Sequence, residues 1–524
     1  MGGRGMNPAK RAVAASAFVL CLAAAGAFVA GCHNSLFDTI AIIVEESANP
    51  LSVSFSPDPG MYTTEQSVTL TVNQPGASIR YTTDGSDPGE ANGMLYGGAF
   101  EVSSSTVVKA MATKPDWSDS PVAQGEYTIP FGKQLKKYAI TPANGDELGW
   151  SAAVSGDYAI VGAPGEDGGG SGRGAAYIFY RNGGAWDSVV RIEATNPTDG
   201  HRFGHAVAID GDYAVVGTSY WTGQTSAYIF HRTGPGNAWD SGCKIDTPNP
   251  QFEGYFACSV AISGDYAVVG AYVEDGYYTD TGVAYVFHRT GLNAWADVVQ
   301  LNSHNDAHSM DFFGGSVAID GDYVIIGAPY WDSLGPSPID GCGAAYVFYR
   351  TGPGNDWSGH VRLMALTLED GAEFGGCVDI DGDYVIVGAQ NEDIDVLSQA
   401  GAAYILRRID TDSWEHSDHL TAPDAQTMDY FGDRVAISGD FALVGAKMED
   451  GIADRSGSVY SFRRTAVNTW DQGPTAKIMA DDGGSMQFFG RSVAVDGEYA
   501  VVGADGSDGP GGTPTDTGAA YVLR

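Results

Sequence analysis

Residues 203–217 read FGHAVAIDGDYAVVG, and this stretch decides the fold. A Phe-Gly pair opens a short apolar run, a Gly-Asp turn follows, and a second apolar run ends in Val-Gly. Two short apolar runs joined by a tight turn are typical of neighbouring antiparallel strands. The chain continues with an Ala-Tyr-Ile-Phe run at 227–230 and then Trp239, so one unit contains more than a single hairpin.

The same unit occurs seven times in residues 131–524. Its turn acid recurs at intervals between 53 residues (Asp212 to Asp265) and 61 residues (Asp322 to Asp383). The seven positions are Asp157, Asp212, Asp265, Asp322, Asp383, Asp440 and Glu498. This length accommodates four short strands, which we designate A to D. Tandem units of this kind bury one another's faces, so the sequence predicts an all-β fold dominated by a seven-bladed β-propeller.

The two ends of the repeat array complement each other. The seventh copy stops at Arg524, at the end of its strand C, and has no strand D. The stretch 134–140 precedes the first copy and aligns with the D strands of the others. We expect it to pair with the strand around Tyr521 and close the ring, because closure removes exposed strand edges.

The Phe-Gly pair and the Val-Gly-Ala-Pro run, as at residues 161–164, resemble the FG-GAP repeat of integrin α-subunit propellers. The resemblance implies a propeller that serves as an interaction platform for a protein or glycan ligand. Many integrin-type repeats carry a DxDxDG calcium loop before the second run. Here that connection is only Ser-Gly-Asp or Asp-Gly-Asp, which supplies too few oxygens for the ~6–8 ligands of calcium.

Residues 50–130 have a different texture. The alternation SVTLTV at 67–72 predicts half-buried strands, and Asp84-Gly85 supplies a tight turn within YTTDGSDP at 81–88. This stretch resembles the small immunoglobulin-like domain at the C-terminus of chitobiases and β-hexosaminidases. The catalytic carboxylates of those enzymes lie in another domain, so the resemblance implies an immunoglobulin-like β-sandwich that acts as a spacer or a weak sugar-binding unit.

Residues 1–31 read as a lipoprotein signal peptide, and residues 32–49 as a tether. Arg4, Lys10 and Arg11 precede an apolar run over 12–30, which meets Val-Ala-Gly-Cys at 29–32. This ending resembles a lipobox, which implies cleavage before Cys32 and lipid attachment to its thiol. We therefore expect a lipid-anchored protein of the cell envelope, at the outer membrane or cell surface. The alternative is an uncleaved membrane-spanning helix.

Charge and cysteine content exclude some functions. The formal net charge of -37 argues against a nucleic-acid partner, which requires clustered Lys and Arg. Cys243, Cys258, Cys342 and Cys377 lie in the repeat region, and none has the CxxC spacing of a zinc or redox site. Disulfides are permitted outside the cytoplasm, and the sequence leaves their pairing open.

Each copy offers one cross-strand charge pair. The turn acid begins strand B and an Arg ends strand C, and antiparallel neighbours bring these two ends together. The expected pairs are Asp157–Arg181, Asp212–Arg232, Asp265–Arg289, Asp322–Arg350, Asp383 with Arg407 or Arg408, Asp440 with Arg463 or Arg464, and Glu498–Arg524. We interpret them as structural rather than catalytic, each contributing at most about 1 kcal/mol if exposed.

Acidic residues also mark the loops between strands B and C, which should share one face of the propeller. They are Glu166, Asp167, Glu274, Asp275, Asp332, Glu392, Asp393, Glu449, Asp450, Asp505 and Asp508. Two interpretations remain: a solvated acidic rim, or a surface that binds cations such as calcium or attracts a basic partner. Other acids, such as Asp311, lie in the D–A loops of the same face.

Nothing in the sequence matches a GxSxG, P-loop, HExxH or CxxC motif. The Trp that recurs in the loop before strand D, as at Trp239, is better explained by packing than by sugar stacking. Three functions stay open: an exported binding or adhesion protein, a polysaccharide hydrolase or lyase, and a structural envelope protein. Acids and His converging on a central funnel would favour an enzyme, whereas a filled, featureless centre would favour binding.

Overall fold

The computed structural model describes residues 50–524, except 63–65, 90–91, 103–105, 130, 132–133, 168–171, 220–224, 250–254, 276–278, 304–307, 334–336, 472 and 513–514. The chain divides into two compact units, Met1–Ile129 and Pro130–Arg524. The expected signal peptide, the tether and Cys32 lie outside the described residues. None of the described residues belongs to an apolar helix of the length needed to cross a bilayer.

The first unit is a small two-sheet β-sandwich. Its strands are β1 (Val53–Ser56), β2 (Gly60–Met61), β3 (Gln66–Val72), β4 (Ser78–Thr82), β5 (Met94–Leu95), β6 (Phe100–Val102), β7 (Thr106–Thr113) and β8 (Ala123–Thr128). One sheet has the order β1-β3-β6 and the other β2-β8-β7-β4-β5. Alternate residues of β7 are buried, and Val108 and Ala110 pack with Val68 and Leu70 of β3 in the core.

The second unit consists of seven sheets that form the predicted all-β propeller. Six of them have four strands, and the sixth has five because its strand D is divided into two short strands. Its first strand is β9 (Gln134–Lys137). Blades 1 to 3 contain β10 (Ala152–Ser155), β11 (Tyr158–Ala163), β12 (Ala175–Asn182), β13 (Ala185–Ile192), β14 (Ala206–Asp210), β15 (Tyr213–Gly217), β16 (Ser226–His231), β17 (Cys243–Asp246), β18 (Phe256–Ser263), β19 (Tyr266–Ala271), β20 (Val283–His288) and β21 (Asp297–Leu301). Blades 4 to 7 contain β22 (Val317–Asp320), β23 (Tyr323–Ala328), β24 (Ala344–Tyr349), β25 (Gly359–Leu363), β26 (Cys377–Asp381), β27 (Tyr384–Ala389), β28 (Ala402–Asp410), β29 (Ser413–Leu420), β30 (Arg434–Ser438), β31 (Phe441–Ala446), β32 (Ser458–Ala466), β33 (Thr469–Trp470), β34 (Ala476–Ile478), β35 (Ser492–Asp496), β36 (Tyr499–Ala504) and β37 (Ala519–Leu523).

Strand β9 completes the seventh blade. It lies antiparallel to β37, with Lys137 opposite Ala520 and Gln134 opposite Leu523. The Lys136 ammonium donates to Asp482 Oδ2 at 2.9 Å and to Ser507 Oγ at 2.8 Å. The predicted closure is therefore confirmed: the beginning of the array supplies the missing strand D and gives the last blade's edge a hydrogen-bonded partner.

A closed circle of hydrogen bonds links the A–B turns of consecutive blades. The side chain that ends each strand A, Ser or Asp, accepts from the backbone N–H of the next blade's turn glycine, as Asp210 Oδ2 does from Gly264 at 2.7 Å. The other six contacts are Asp496–Gly156, Ser155–Gly211, Ser263–Gly321, Asp320–Gly382, Asp381–Gly439 and Ser438–Gly497. Because Asp496 of blade 7 reaches Gly156 of blade 1, the circle has no break.

The glycine that ends the Val-Gly run lies where the backbones of consecutive blades touch. A Cβ on Gly270 would lie 2.0 Å from the carbonyl oxygen of Gly314 in the next blade, and one on Gly503 would lie 1.9 Å from that of Gly149. Gly314 itself has φ +92°, a conformation that favours glycine. The Phe-Gly and Val-Gly parts of the repeat thus meet across each blade interface, which explains their recurrence together.

Candidate functional site

Six copies place the turn acid and the arginine at the end of strand C in an ion pair. These pairs are Asp157–Arg181, Asp212–Arg232, Asp265–Arg289, Asp322–Arg350, Asp383–Arg408 and Asp440–Arg464. Of the alternatives left open by the sequence, Arg408 and Arg464 are the partners, whereas Arg407 contacts Glu415 at 3.4 Å. The carboxylates are more than half exposed in the pairs of Asp212 and Asp322, which keeps the energy of each pair small.

The same arginines also connect consecutive blades. The Arg232 guanidinium lies 5.1 Å from the ring centroid of Tyr158 in the preceding blade, and Trp239 meets that ring edge-to-face at 5.9 Å. Equivalent Arg–Tyr contacts recur at Arg181–Tyr499, Arg289–Tyr213, Arg350–Tyr266, Arg408–Tyr323 and Arg464–Tyr384. The charge pairs and the repeated Trp therefore serve packing between blades at the A–B turn face.

The seventh copy departs from this pattern. Among the described ion pairs none joins Glu498 to Arg524, so that predicted pair is wrong. The Arg524 guanidinium lies instead 5.6 Å from the Tyr499 ring centroid. The preceding blade offers Phe441, whose ring contacts Phe131 at 5.5 Å. Phe131 thus occupies the position that Arg and Trp share elsewhere, because the N-terminal segment rather than a local hairpin completes this blade.

The glutamates of the predicted acidic rim are buried rather than solvated. Glu166 accepts from the Tyr177 hydroxyl and from Arg191 Nε, both at 2.6 Å. Glu274, Glu392 and Glu449 are also buried, and accept respectively from Tyr285 at 2.6 Å, Tyr404 at 2.8 Å and Lys477 at 2.7 Å. Burial, followed by the nearby carboxylate, raises the pKa of the Tyr177, Tyr285 and Tyr404 hydroxyls. These carboxylates are internal anchors of strand C.

The aspartates of the same rim stabilise their own loops. Six of the seven accept a hydrogen bond from a backbone N–H further along the loop, as Asp393 does from Gln399 at 2.8 Å, whereas Asp505 contacts Arg491 at 3.4 Å. The others are Asp167 with Gly172, Asp275 with Asp280, Asp332 with Gly341, Asp450 with Arg455 and Asp508 with Asp516. No three His, Cys, Asp or Glu side chains among the described residues are grouped to hold a metal ion. In the described part of these loops the acids are thus engaged in contacts within the protein.

The four cysteines of the propeller are free thiols. Cys342 is buried, and Cys243, Cys258 and Cys377 are partly buried. Burial raises the pKa of the Cys258 thiol to about 11, so this thiol is protonated near neutral pH. A protonated thiol is a poor nucleophile, and these residues offer no reactive centre.

A central channel passes through the middle of the ring and is lined by the A strands of all seven blades. Its cavity volume is about 620 Å³. The circle of turn hydrogen bonds surrounds one end, and we call the other end, beside the Phe-Gly pairs, the mouth. Small side chains such as Ala208 and Ala261 line the middle, where blade 5 places Asp379 instead. Asp379 accepts from the Ile437 N–H of the next blade at 2.8 Å, and burial raises its pKa to about 7.

Charged side chains from four consecutive blades gather at one side of the mouth. This charged arc consists of Glu147, Arg202, Asp433, Arg434, Lys447, Arg491 and Asp505. The nearest charged atoms are 2.6 Å apart in Arg202–Glu147, 2.8 Å apart in Lys447–Asp433 and 3.4 Å apart in Arg491–Asp505. Burial opposes ionisation of Asp433, but Arg434 and Lys447 outweigh it and lower its pKa. Four cations thus face three carboxylates at this place.

An indole ring lies among these cations. The Arg491 guanidinium is 3.9 Å from the Trp150 ring centroid, and that of Arg202 is 5.2 Å away. Both distances fall within the range of cation–π attraction. The His205 ring lies 5.6 Å from Trp150, and burial, with Arg202 and Arg491 nearby, lowers its pKa to about 4. His205 is therefore neutral near pH 7.

Two carboxylate oxygens of the charged arc have unused hydrogen-bonding capacity. Asp433 Oδ2 and Asp505 Oδ1 are buried, and no group among the described residues donates a hydrogen bond to them. Asp433 is only 4% exposed. Buried acceptors are normally paired, so these two oxygens are well suited to a ligand that brings its own donors.

Blades 3 and 4 present aromatic side chains on the opposite side of the mouth. This aromatic arc consists of Tyr255, Tyr272, Phe312 and Tyr330, whose successive ring centroids are 5.4, 5.4 and 5.2 Å apart. Tyr330 is 44% exposed. The four rings contact one another in sequence and form a continuous apolar and polarisable surface beside the mouth.

Several residues of the two arcs adopt a left-handed backbone conformation. The residue before each buried Phe or Leu has positive φ: 58° at Glu147, 48° at Arg202, 47° at Tyr255 and 55° at Phe312. The equivalents in the last three blades are Glu373, Tyr430 and Phe488. Non-glycine residues adopt this conformation at a cost of about 1 kcal/mol or more, so the packing between blades must impose it.

The sequence reasoning missed the mouth. Its residues adjoin the Phe-Gly pair, where the copies carry different residue types within an otherwise regular segment: Trp150, His205, Cys258, Gly315, Gly376, Asp433 and Arg491 follow the pair or its equivalent. That variation within an otherwise regular repeat was the available signal. The positions that recur in every copy form the contacts that build the ring.

Two family models match the chain. The FG-GAP repeat model matches residues 138–179, 186–230, 244–287, 295–348, 357–406, 414–462 and 472–523, which together make up more than half of the chain. The model of the chitobiase/beta-hexosaminidase C-terminal domain matches residues 57–124, within the β-sandwich. No curated protein matches the chain.

Proposed function

Because the chain belongs to the FG-GAP repeat family, we propose that its propeller is a ligand-binding platform at the outside of a bacterial cell. The ligand is a protein or a glycan that engages the mouth through the charged and aromatic arcs. The basic and apolar beginning of the sequence and Cys32 support export and lipid anchoring in the envelope. The β-sandwich acts as a spacer or an auxiliary sugar contact.

One observation carries this proposal: Arg491 and Arg202 flank Trp150 at the mouth of an open channel. At the A–B turn face the arginines and tryptophans form contacts between blades, and most of the loop acids are engaged by strand residues or by backbone N–H groups of their own loops. The mouth, in contrast, combines partly exposed cations, aromatic rings and unpaired acceptors, which are the polar and apolar groups that binding pockets bring together.

The experiment compares ligand capture by variants of the two faces. The full chain is used to capture partners from envelope extracts and from immobilised polysaccharides, alongside Arg491→Gln at the mouth and Arg232→Gln at the opposite face. We expect capture to be lost with Arg491→Gln and kept with Arg232→Gln. Equal capture by all three proteins would show that the mouth is not the binding site.

Anchoring is tested separately. Labelled fatty acid should be incorporated into the wild-type chain in a bacterial host, and Cys32→Ser should abolish the label and release the protein from the membrane fraction. Incorporation that persists in Cys32→Ser would contradict lipidation at this residue.

A polysaccharide hydrolase or lyase is the second candidate, because His205 lines the channel and the acids Asp433 and Asp505 contact the channel-lining Arg434 and Arg491. Against it, Asp433 is held by Lys447 and Asp505 contacts Arg491. Depolymerisation of any polysaccharide by the wild type, abolished by Asp505→Asn, would favour the enzyme over the binding protein.

A further inference from the structure

We propose that the mouth binds an oligosaccharide that carries a single acidic sugar of the uronic-acid type. The sugar carboxylate contacts Arg491 and Arg434, and its hydroxyls donate to Asp433 and Asp505. Neighbouring neutral sugars extend across the aromatic arc. This inference rests on the proposed binding function of the mouth and names the ligand class for it.

The cations of the charged arc favour a ligand that carries an anionic group. Arg434 and Arg491 both line the channel, and Arg434 adds to burial in lowering the pKa of Arg491. Among the described residues Arg491 forms an ion pair with one carboxylate, that of Asp505, at the rather long distance of 3.4 Å. Guanidinium groups bind carboxylates with two parallel hydrogen bonds, which a lysine cannot reproduce. Arg491 therefore keeps donor capacity for a carboxylate that arrives from the channel side.

The unpaired acceptors distinguish a sugar acid from a simple anion. Asp433 Oδ2 and Asp505 Oδ1 are buried beside the same arginines and receive no hydrogen bond from the described part of the chain. Acetate brings no donor for these oxygens, and a hydrogen phosphate dianion brings only one. A sugar acid brings several hydroxyl donors next to its carboxylate, so it satisfies both kinds of group at once.

The aromatic rings add the apolar part of the recognition. Trp150 is half-buried, with Arg491 over its ring, and Tyr255, Tyr272, Phe312 and Tyr330 continue the surface on the other side of the channel. Sugar rings have apolar faces that pack on aromatic side chains, while their edges form hydrogen bonds. This arrangement suits a ligand several sugars long.

The charge of the whole chain argues for one acidic sugar rather than many. The formal net charge is -37, and the charged arc holds four of the 28 Lys and Arg residues. A polyanion would bring most of its charges against the acidic surface around the mouth and would be repelled. A ligand with a single carboxylate gains the contact with the arginines and avoids this repulsion.

Calorimetry on the full chain tests the inference with matched pairs of disaccharides. Each pair has the same linkage, with and without a terminal uronate, as in cellobiouronic acid and cellobiose, and the panel covers several linkages. Acetate, inorganic phosphate, polygalacturonate and poly-glutamate are the remaining probes. We expect at least one uronate to bind about tenfold or more tightly than its neutral counterpart, because its carboxylate accepts charge-assisted hydrogen bonds from the arginines.

Variants locate the effect. Arg491→Gln should reduce the affinity for the uronate to that for the neutral sugar, and Arg232→Gln should bind like the wild type. If Arg491→Gln does not fold, Arg202→Gln serves in its place, because Arg202 is a quarter exposed at the same ring. Thermal unfolding of each variant shows whether the fold is retained.

Several results would overturn the inference. Equal affinity for neutral and acidic sugars would show that the carboxylate is not recognised. Acetate or phosphate that binds as tightly as the uronate would indicate a simple anion site. Tighter binding of poly-glutamate would indicate an acidic protein partner, and tighter binding of polygalacturonate a polyanion. If no saccharide binds while Arg491→Gln still loses its partner in the capture experiment, the inference fails and the proposed function stands. If both experiments fail, both are wrong.

Discussion

Replacing Asp311 by Asn is expected to stabilise the propeller near neutral pH. Asp311 is fully buried, and its Oδ2 accepts from the His308 N–H at 2.6 Å. Its Oδ1 is also buried, and none of the described residues donates a hydrogen bond to it. Burial, with a smaller effect of Asp332, raises the pKa of this carboxyl from 3.8 to about 7.

The sign follows from proton linkage. When the pKa of a carboxyl is higher in the folded state than in the unfolded chain, the unfolded chain loses the proton first. The carboxyl therefore has no effect on stability at low pH, and its destabilising effect grows as pH rises from 3.8 to about 7. A difference of about three pKa units corresponds to about 4 kcal/mol at most, at about 1.4 kcal/mol for each unit. Relaxation around the ionised group reduces this figure, so we expect a gain on the order of 2 kcal/mol above pH ~7.

Asparagine suits this position because it retains one acceptor for the His308 N–H and carries no charge. Urea unfolding midpoints of wild type and Asp311→Asn, measured near pH ~4 and pH ~8, give the comparison. The two proteins should unfold alike at the lower pH, and the variant should be more stable at the higher one. Asp340→Asn, an exposed change in the same blade, is the control. A variant that is less stable at the higher pH, or a gain that does not depend on pH, would refute the reasoning.

Two further predictions concern the ring itself. Gly270→Ala should destabilise the propeller by several kcal/mol, on the order of other overpacked interior sites, since its Cβ would lie 2.0 Å from the Gly314 carbonyl oxygen, whereas Gly234→Ala, with open space around it, should have little effect on urea unfolding. Unchanged stability of Gly270→Ala would mean that the blades are not in backbone contact there. Lys136→Ala should cost about 1–2 kcal/mol by removing the link between β9 and Asp482, and a double-mutant cycle with Asp482→Asn should be non-additive. Strict additivity in that cycle would show that the two side chains do not stabilise the closure together.

Local, repeated features could be predicted from the sequence because each depends on neighbours in one hairpin or on the period of the repeat. The ion pair of Asp212 and Arg232 joins two adjacent antiparallel strands, so alignment of the copies was enough to propose it. The loop glutamates were misinterpreted because an acid in a polar loop reads as solvated. Only the tertiary structure shows that Glu166 is buried and accepts hydrogen bonds from Tyr177 and Arg191 of its own blade.

The sequence by itself determined the all-β class, the number of blades and the strand that closes the ring, because these follow from periodicity and from the strand missing at the end of the array. Only the tertiary structure decided what the mouth is made of. Glu147, Arg202, Asp433 and Arg491 belong to four different copies, and they become neighbours only because closure brings the last blades beside the first. A repeat pattern records what the blades share, whereas the mouth is built from the positions at which they differ.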